Sequence, residues 1–172
     1  MKNFKKPAIF VLSFIFLFTL PYIVLAANDK GKAVSAEHRS RVAEVVQQLT
    51  AVANQDENIG EEVSQVAQAE NEAREKVATI IEKIETRGKF KTFLLGTDYK
   101  NIGALRSELV TTANHIERLS KALERTIDEE VKAELNAQIT ALEEAKTKVE
   151  SFIQTNESKF SLLGWLVKFF NR

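Results

Sequence analysis

The chain has 172 residues, with 24 basic and 24 acidic side chains, no cysteine, six glycines and two prolines. The lack of cysteine excludes disulfides and thiolate chemistry, and the scarcity of glycine and proline favours long helices. Without residues 1–26, the chain keeps 21 basic and 24 acidic side chains, and this weakly acidic balance argues against nucleic acid as a partner.

The first 26 residues have the pattern of a signal peptide or a membrane anchor. Three lysines precede an uncharged segment, residues 7–28, and Val24-Leu25-Ala26 places small residues where a signal peptidase cuts. We expect cleavage after Ala26. The alternative is an uncleaved anchor, because about 20 apolar residues suffice to span a bilayer. Both alternatives predict an extracytoplasmic protein, secreted or membrane-anchored, since the lysines favour the inner side of the membrane.

A heptad stripe follows over residues 38–84. Of the fourteen positions spaced alternately four and three residues apart in this range, eleven are apolar, and the spacing continues without interruption. The stripe predicts one coiled-coil-like helix of about 54 residues, from residue 34 to residue 87, which Gly88 ends. The one weak spot is residues 54–60, where a capping box would break the helix.

Two further helices are predicted after this one. Asp98 is a plausible N-cap for the second, and the third runs over residues 127–155. Their apolar stripes are out of phase at residues 125–129, where Thr126 and Glu129 fit a capping box and predict a turn. The predicted fold is therefore all-α, with the long first helix packed with two further helices as an antiparallel three-helix bundle. The alternative is one long two-helix hairpin with a stutter instead of the turn.

These elements divide the chain into four parts: a signal peptide or anchor (1–26), a helical stalk (27–56), a helical bundle (57–158) and an apolar amphipathic tail (159–172). The stalk would leave one apolar face in water, so we predict that the chain self-associates through this face. The residues of the face are Val42, Val45, Leu49 and Val52.

Two apolar segments, KFKTFLLGTDY at residues 89–99 and KFSLLGWLVKFF at residues 159–170, predict a contact surface. With a turn at Thr126, the third helix returns to the first segment and carries Trp165 toward Phe93. Such apolar clusters are sheltered by each other, by a membrane surface or by an envelope protein, and we favour mutual capping of the bundle end. The candidate contact residues are Phe90, Phe93, Leu94, Leu95, Tyr99, Phe160, Leu163, Trp165, Leu166, Phe169 and Phe170.

The strings TFLLGTDYKNIGALRSEL and NESKFSLLGWLVKFF resemble segments of an uncharacterised group of predicted secreted helical proteins from uncultured bacteria. The similarity covers most of the chain after the signal. It implies a bacterial envelope setting and carries no assigned activity, cofactor or site residue.

Patterns that carry catalysis or metal binding are missing from the sequence. His38 and His115 have no second histidine at i+4, and there is neither a nucleophile elbow nor a phosphate-binding glycine loop. We therefore expect no catalytic residue, cofactor or metal. Asp56 and Glu70 are polar positions on the heptad stripe, where such residues set the register or the number of partners.

The sequence predicts a non-enzymatic extracytoplasmic helical protein, a structural or interaction module at the bacterial cell envelope. The alternative is a peripheral lipid-binding protein that acts through the C-terminal tail and the basic-apolar segment at residues 89–99.

Overall fold

Five helices account for nearly all of residues 8–158, the part of the chain that the computed structural model describes. Side chains are described in this range except for those of residues 8–30, 89 and 90. The helices are α1 (Ala8–Gln55), α2 (Gly60–Thr86), α3 (Lys89–Leu95), α4 (Tyr99–Arg125) and α5 (Glu129–Glu157). The prediction of an all-α protein is thus confirmed for this part of the chain.

The four long helices alternate in direction and form an up-down-up-down bundle. Helix α1 packs against α2 and α5, and α4 packs against the same two helices. The seven-residue α3 lies in the connection between α2 and α4. Short connections between antiparallel neighbours are typical of such bundles. Side-chain contacts that fix the antiparallel register are Ser35–Glu82, Glu70–His115, Arg106–Glu157 and Arg41–Glu144.

The prediction of one helix over residues 34–87 is wrong, because the chain reverses between α1 and α2. In the turn, the Asp56 carboxylate accepts a hydrogen bond from the backbone N–H of Asn58 at 2.9 Å. Gly60 then passes close to α1, where a Cβ atom on it would lie 2.3 Å from the carbonyl oxygen of Ala53. The bundle therefore contains four long helices where the sequence predicted three.

The predicted stalk is also wrong, because residues 31–55 form one helix of the bundle. Its apolar face is at most 2% exposed, and all of it except Val42 belongs to a core cluster with residues of α4 and α5 such as Leu119 and Leu135. Self-association through this face stays a prediction, and it would require the bundle to open or to exchange helices between copies. The buried face consists of Val42, Val45, Leu49 and Val52.

The other predicted helix boundaries are present. The chain turns at Thr126, between α4 and α5, so the two-helix hairpin is excluded. The cap differs from the prediction, because the Asp128 carboxylate accepts the backbone N–H groups at the start of α5. Asp98 is the N-cap of α4, and Gly88, with φ of 80°, follows the end of α2.

Residues 1–7 and 159–172 lie outside the described residues. The predicted tail falls there entirely, and the predicted signal peptide or anchor falls there or in residues 8–26, whose side chains are not described. Within the part of the chain that was searched, no helix combines the length and apolarity needed to cross a bilayer.

Candidate functional site

The alternation of helices gathers five chain segments at one end of the bundle, which we call the α3 end. The segments are the entry of α1 near Gly31, the end of α2, all of α3, the start of α4 and the end of α5. Gly31 lies against the side chain of Glu85 near the end of α2. The Thr97 hydroxyl, just before α4, donates to the carbonyl oxygen of Asn156 in α5 at 3.1 Å. The opposite end, the turn end, carries the two tight turns at residues 56–59 and 126–128.

Large apolar side chains are exposed at the α3 end. Phe93 is 46% exposed, Leu95 58% and Tyr99 70%. Exposed Lys91 and Lys100 flank them in the sequence. Three exposed large apolar side chains within seven residues differ from the singly exposed apolar residues that are normal on soluble proteins, and we call these three residues the α3 patch.

Two glycines fix the conformation of this patch. Gly88 precedes α3 with φ of 80° and Gly96 follows it with φ of 83°. These angles lie in the left-handed region, which glycine adopts without the steric cost that a Cβ atom brings. The Gly96 N–H also donates to the Thr92 carbonyl at 2.8 Å. The backbone thus holds the short helix away from the directions of α2 and α4.

Only part of the predicted contact surface can be placed. Phe93, Leu95 and Tyr99 lie at the surface of the α3 end, and Leu94 is half-buried. The Phe90 side chain is not described, and the six predicted residues of the tail lie outside the described residues. The prediction that Trp165 meets Phe93 therefore stays a prediction. The residues in the tail are Phe160, Leu163, Trp165, Leu166, Phe169 and Phe170.

The turn end differs chemically from the α3 end. The Thr126 hydroxyl, buried between the two turns, donates to the Asp56 carboxylate. This hydrogen bond is the main reason why the pKa of Asp56 is below its usual value. The Asn58 side-chain amide donates to the Arg125 carbonyl at 3.3 Å and joins the two turns a second time. The only large apolar side chain that is exposed among the described residues of these two turns is Ile127.

A buried polar layer separates two apolar clusters of the core. It consists of Glu70 on α2 and of Thr112 and His115 on α4, which are 2%, 9% and 8% exposed. His115 Nδ1 lies 2.7 Å from Glu70 Oε1, within hydrogen-bond distance. Along α2 and α4, one apolar cluster lies on each side of this layer. A buried polar pair disfavours other registers of the helices, since a shift would leave both groups without a partner.

The sequence analysis identified Glu70 as a register residue but missed its partner. His115 lies beside the predicted stripe of α4, which continued from Thr112 to Ile116, so periodicity alone placed it off the seam. No spacing rule links a residue on α2 to one 45 positions later. Only the fold of the four helices brings the two side chains together.

The other histidine, His38 on α1, is half-buried. Burial lowers its pKa to about 4, an effect that the negative charge of Glu70 opposes and that Arg39 and Arg74 reinforce. The imidazole is therefore neutral at pH 7. Within the described residues, no group of three or more His, Asp or Glu side chains is arranged to hold a metal ion.

No protein-family model matches the chain, and neither curated proteins nor solved structures include a significant match to it. The resemblance of the two Leu-Leu-Gly segments to secreted helical proteins of uncultured bacteria thus stays a prediction.

Proposed function

We propose that the chain is a non-enzymatic, extracytoplasmic helical module at the cell envelope, and that it contacts the membrane with its α3 end. The observation that supports this most is the patch of Phe93, Leu95 and Tyr99, which is exposed at the end where α1 enters the bundle. Aromatic and aliphatic side chains beside lysines are typical of a surface that lies in the membrane interface.

The continuity of α1 supports the same orientation. The helix runs from Ala8 to Gln55 without a turn, so the apolar segment of residues 8–27 is joined directly to the bundle. If that segment serves as an anchor, the α3 end is the end of the bundle nearest to the membrane. The turn end, with its polar network around Asp56 and Thr126, is then directed away from the membrane.

A second candidate function is peripheral lipid binding through the tail together with α3. The hydrogen bond from Thr97 to Asn156 supports it, because it holds the end of α5, which the tail follows in the sequence, beside the segment that precedes α4. The tail contains eight large apolar residues, Trp165 among them, and three basic ones, a composition suited to an interface.

Vesicle flotation tests the first proposal. The chain from Asn28 onward, which lacks the segment that would itself insert, is mixed with vesicles that contain anionic lipid. We expect the variant with Phe93→Ser and Leu95→Ser to bind at least about tenfold more weakly, since partial burial of two such side chains contributes about 1.5 kcal/mol or more. Ile127→Ser is the matched control, because it removes an apolar side chain that is 89% exposed at the turn end.

Equal flotation of wild type and the double α3 variant would contradict the proposed contact. The same assay on a chain that ends at Ser158 separates the two candidate functions. If the loss follows removal of residues 159–172 and not the α3 substitutions, the tail is the membrane-binding element.

A further inference from the structure

A cavity of about 610 Å³ lies between α1 and α5. Its walls include apolar side chains from both helices: Val34 on α1, and Ala145, Val149 and Phe152 on α5. This volume is in the range of pockets that hold a ligand or several large side chains. The cavity reaches the α3 end, because Thr155 and Asn156, close to the end of α5, also line it.

The charged side chains around the cavity favour an apolar occupant. Arg41 contacts Glu144 at 2.5 Å, and Lys148 contacts Glu37. These cations already have carboxylate partners, so an anionic ligand would have to compete with them. His38, which also lines the cavity, is neutral at pH 7. The site is thus suited to apolar side chains rather than to a charged head group.

The chain itself supplies an apolar segment where the cavity ends. Helix α5 ends at Glu157, the tail follows Ser158 in the sequence, and Thr155 and Asn156 at this helix end line the cavity. Residues 160–170 span about 16 Å as a helix. The cavity wall on α5 runs from Ala145 to Thr155, which corresponds to about 15 Å of helix. A tail that folds back along α5 would therefore match the cavity in length.

The surroundings of the end of α5 favour a turn toward α1. On the α4 side, the Thr97 hydroxyl donates to the Asn156 carbonyl, and Arg106 forms an ion pair with Glu157 at 2.6 Å. These contacts occupy the α4 side of this helix end. The α1 side of the same helix end is lined by the cavity.

We propose that residues 160–170 of the same chain fold back along α5 and occupy the cavity between α1 and α5. The polar stripe of Ser161, Gly164, Lys168 and Asn171 then faces water, while Trp165 and the neighbouring apolar side chains face the cavity beside Val34. This inference goes beyond the proposed membrane contact, for which the α3 patch alone is then responsible.

The test uses the full chain reconstituted in lipid vesicles, and two features of the sequence make crosslinking and fluorescence specific. The chain has no cysteine, so introduced pairs report unambiguously, and Trp165 is its only tryptophan. Leu166→Cys, on the apolar face of the tail, is combined with Ser151→Cys at the cavity, with Leu95→Cys at α3, or with Gln68→Cys on α2 as the distant control. After oxidation, we expect an intrachain disulfide in the first pair and only background in the other two.

Fluorescence provides an independent readout. We expect vesicles with brominated acyl chains to leave the Trp165 emission unchanged, because the docked side chain is shielded from lipid. A disulfide between positions 166 and 95, disulfides only between molecules, the absence of any 151–166 disulfide, or strong quenching by brominated lipid would each overturn the proposal. None of these outcomes tests the α3 contact, which depends on flotation of the Phe93 and Leu95 variant.

Discussion

The buried pair of Glu70 and His115 offers a quantitative test of the fold. Glu70→Leu keeps the volume of the side chain but leaves His115 buried without its partner 2.7 Å away. We expect a loss of about 1–3 kcal/mol in the free energy of unfolding if the pair is neutral, and about 3–5 kcal/mol if it is ionic.

The double variant, with Glu70→Leu and His115→Leu, separates a pairing effect from a packing effect. Because it removes both polar groups, we expect it to recover most of the loss and to lie within about 1–2 kcal/mol of wild type. Glu72→Ala, on the exposed side of the same helix, is the control and should change stability by less than about 0.5 kcal/mol.

Urea unfolding of the chain from Asn28, followed by circular dichroism, measures all of these free energies. The reasoning would be refuted if Glu70→Leu were neutral or stabilising. It would also be refuted if the double variant were as unstable as the sum of the two single variants, since contacting residues must show a coupling energy.

Four other substitutions test local features. Gly60→Ala should cost about 1–3 kcal/mol of stability, because its Cβ meets the backbone of α1. Gly103 has open space around it, so Gly103→Ala should raise the free energy of unfolding by up to about 1 kcal/mol. If the two glycine substitutions had similar effects in urea unfolding, the close approach of Gly60 to α1 would be contradicted. His38→Gln should flatten the loss of stability as pH falls from 6.5 toward 4. In that window the unfolded chain takes up a proton that the buried imidazole, with a pKa of about 4, does not. An unchanged pH profile of unfolding would argue against this burial. Thr126→Val should raise the pKa of Asp56, measured by NMR titration. Because the pKa of Asp56 is lowered in the folded state, the ionised carboxylate stabilises the fold above pH 3.8, and this contribution is lost as pH falls through the folded-state pKa. An unchanged pKa of Asp56 in the Thr126→Val variant would exclude the hydrogen bond.

The heptad stripe predicted the core residues well and the helix length wrongly. Positions such as Leu49 and Val63 are fully buried, as the stripe indicated. The stripe, however, reports only which side chains face a partner, and it kept its phase through the turn at residues 56–59. The residues that make this turn were visible in the sequence as a weak spot. The turn is stabilised by packing of α2 against α1, because the apolar stripes of both helices are then buried against each other and against α4 and α5.

The candidate sites were likewise predictable only in part from the sequence. The apolar composition of residues 89–99 identified Phe93, Leu95 and Tyr99, which the structure leaves exposed. Whether these residues lie beside the entry of α1 depends on the number of chain reversals before them. The turn after α1, which the sequence prediction lacked, brings them to that end of the bundle. The Glu70–His115 pair and the cavity between α1 and α5 arise from residues far apart in the sequence, so they follow only from the packed bundle.

The depth of two positions in a vesicle membrane tests the proposed orientation most directly. Spin labels are attached through Leu95→Cys at the α3 end and Ile127→Cys at the turn end of the full chain, and their collisions with oxygen and with a water-soluble nickel chelate are compared. The orientation predicts that the label at position 95 collides mainly with oxygen, which partitions into lipid, and the label at position 127 mainly with the chelate. Equal exposure of both labels to the chelate, or the reverse order, would contradict membrane contact through the α3 end.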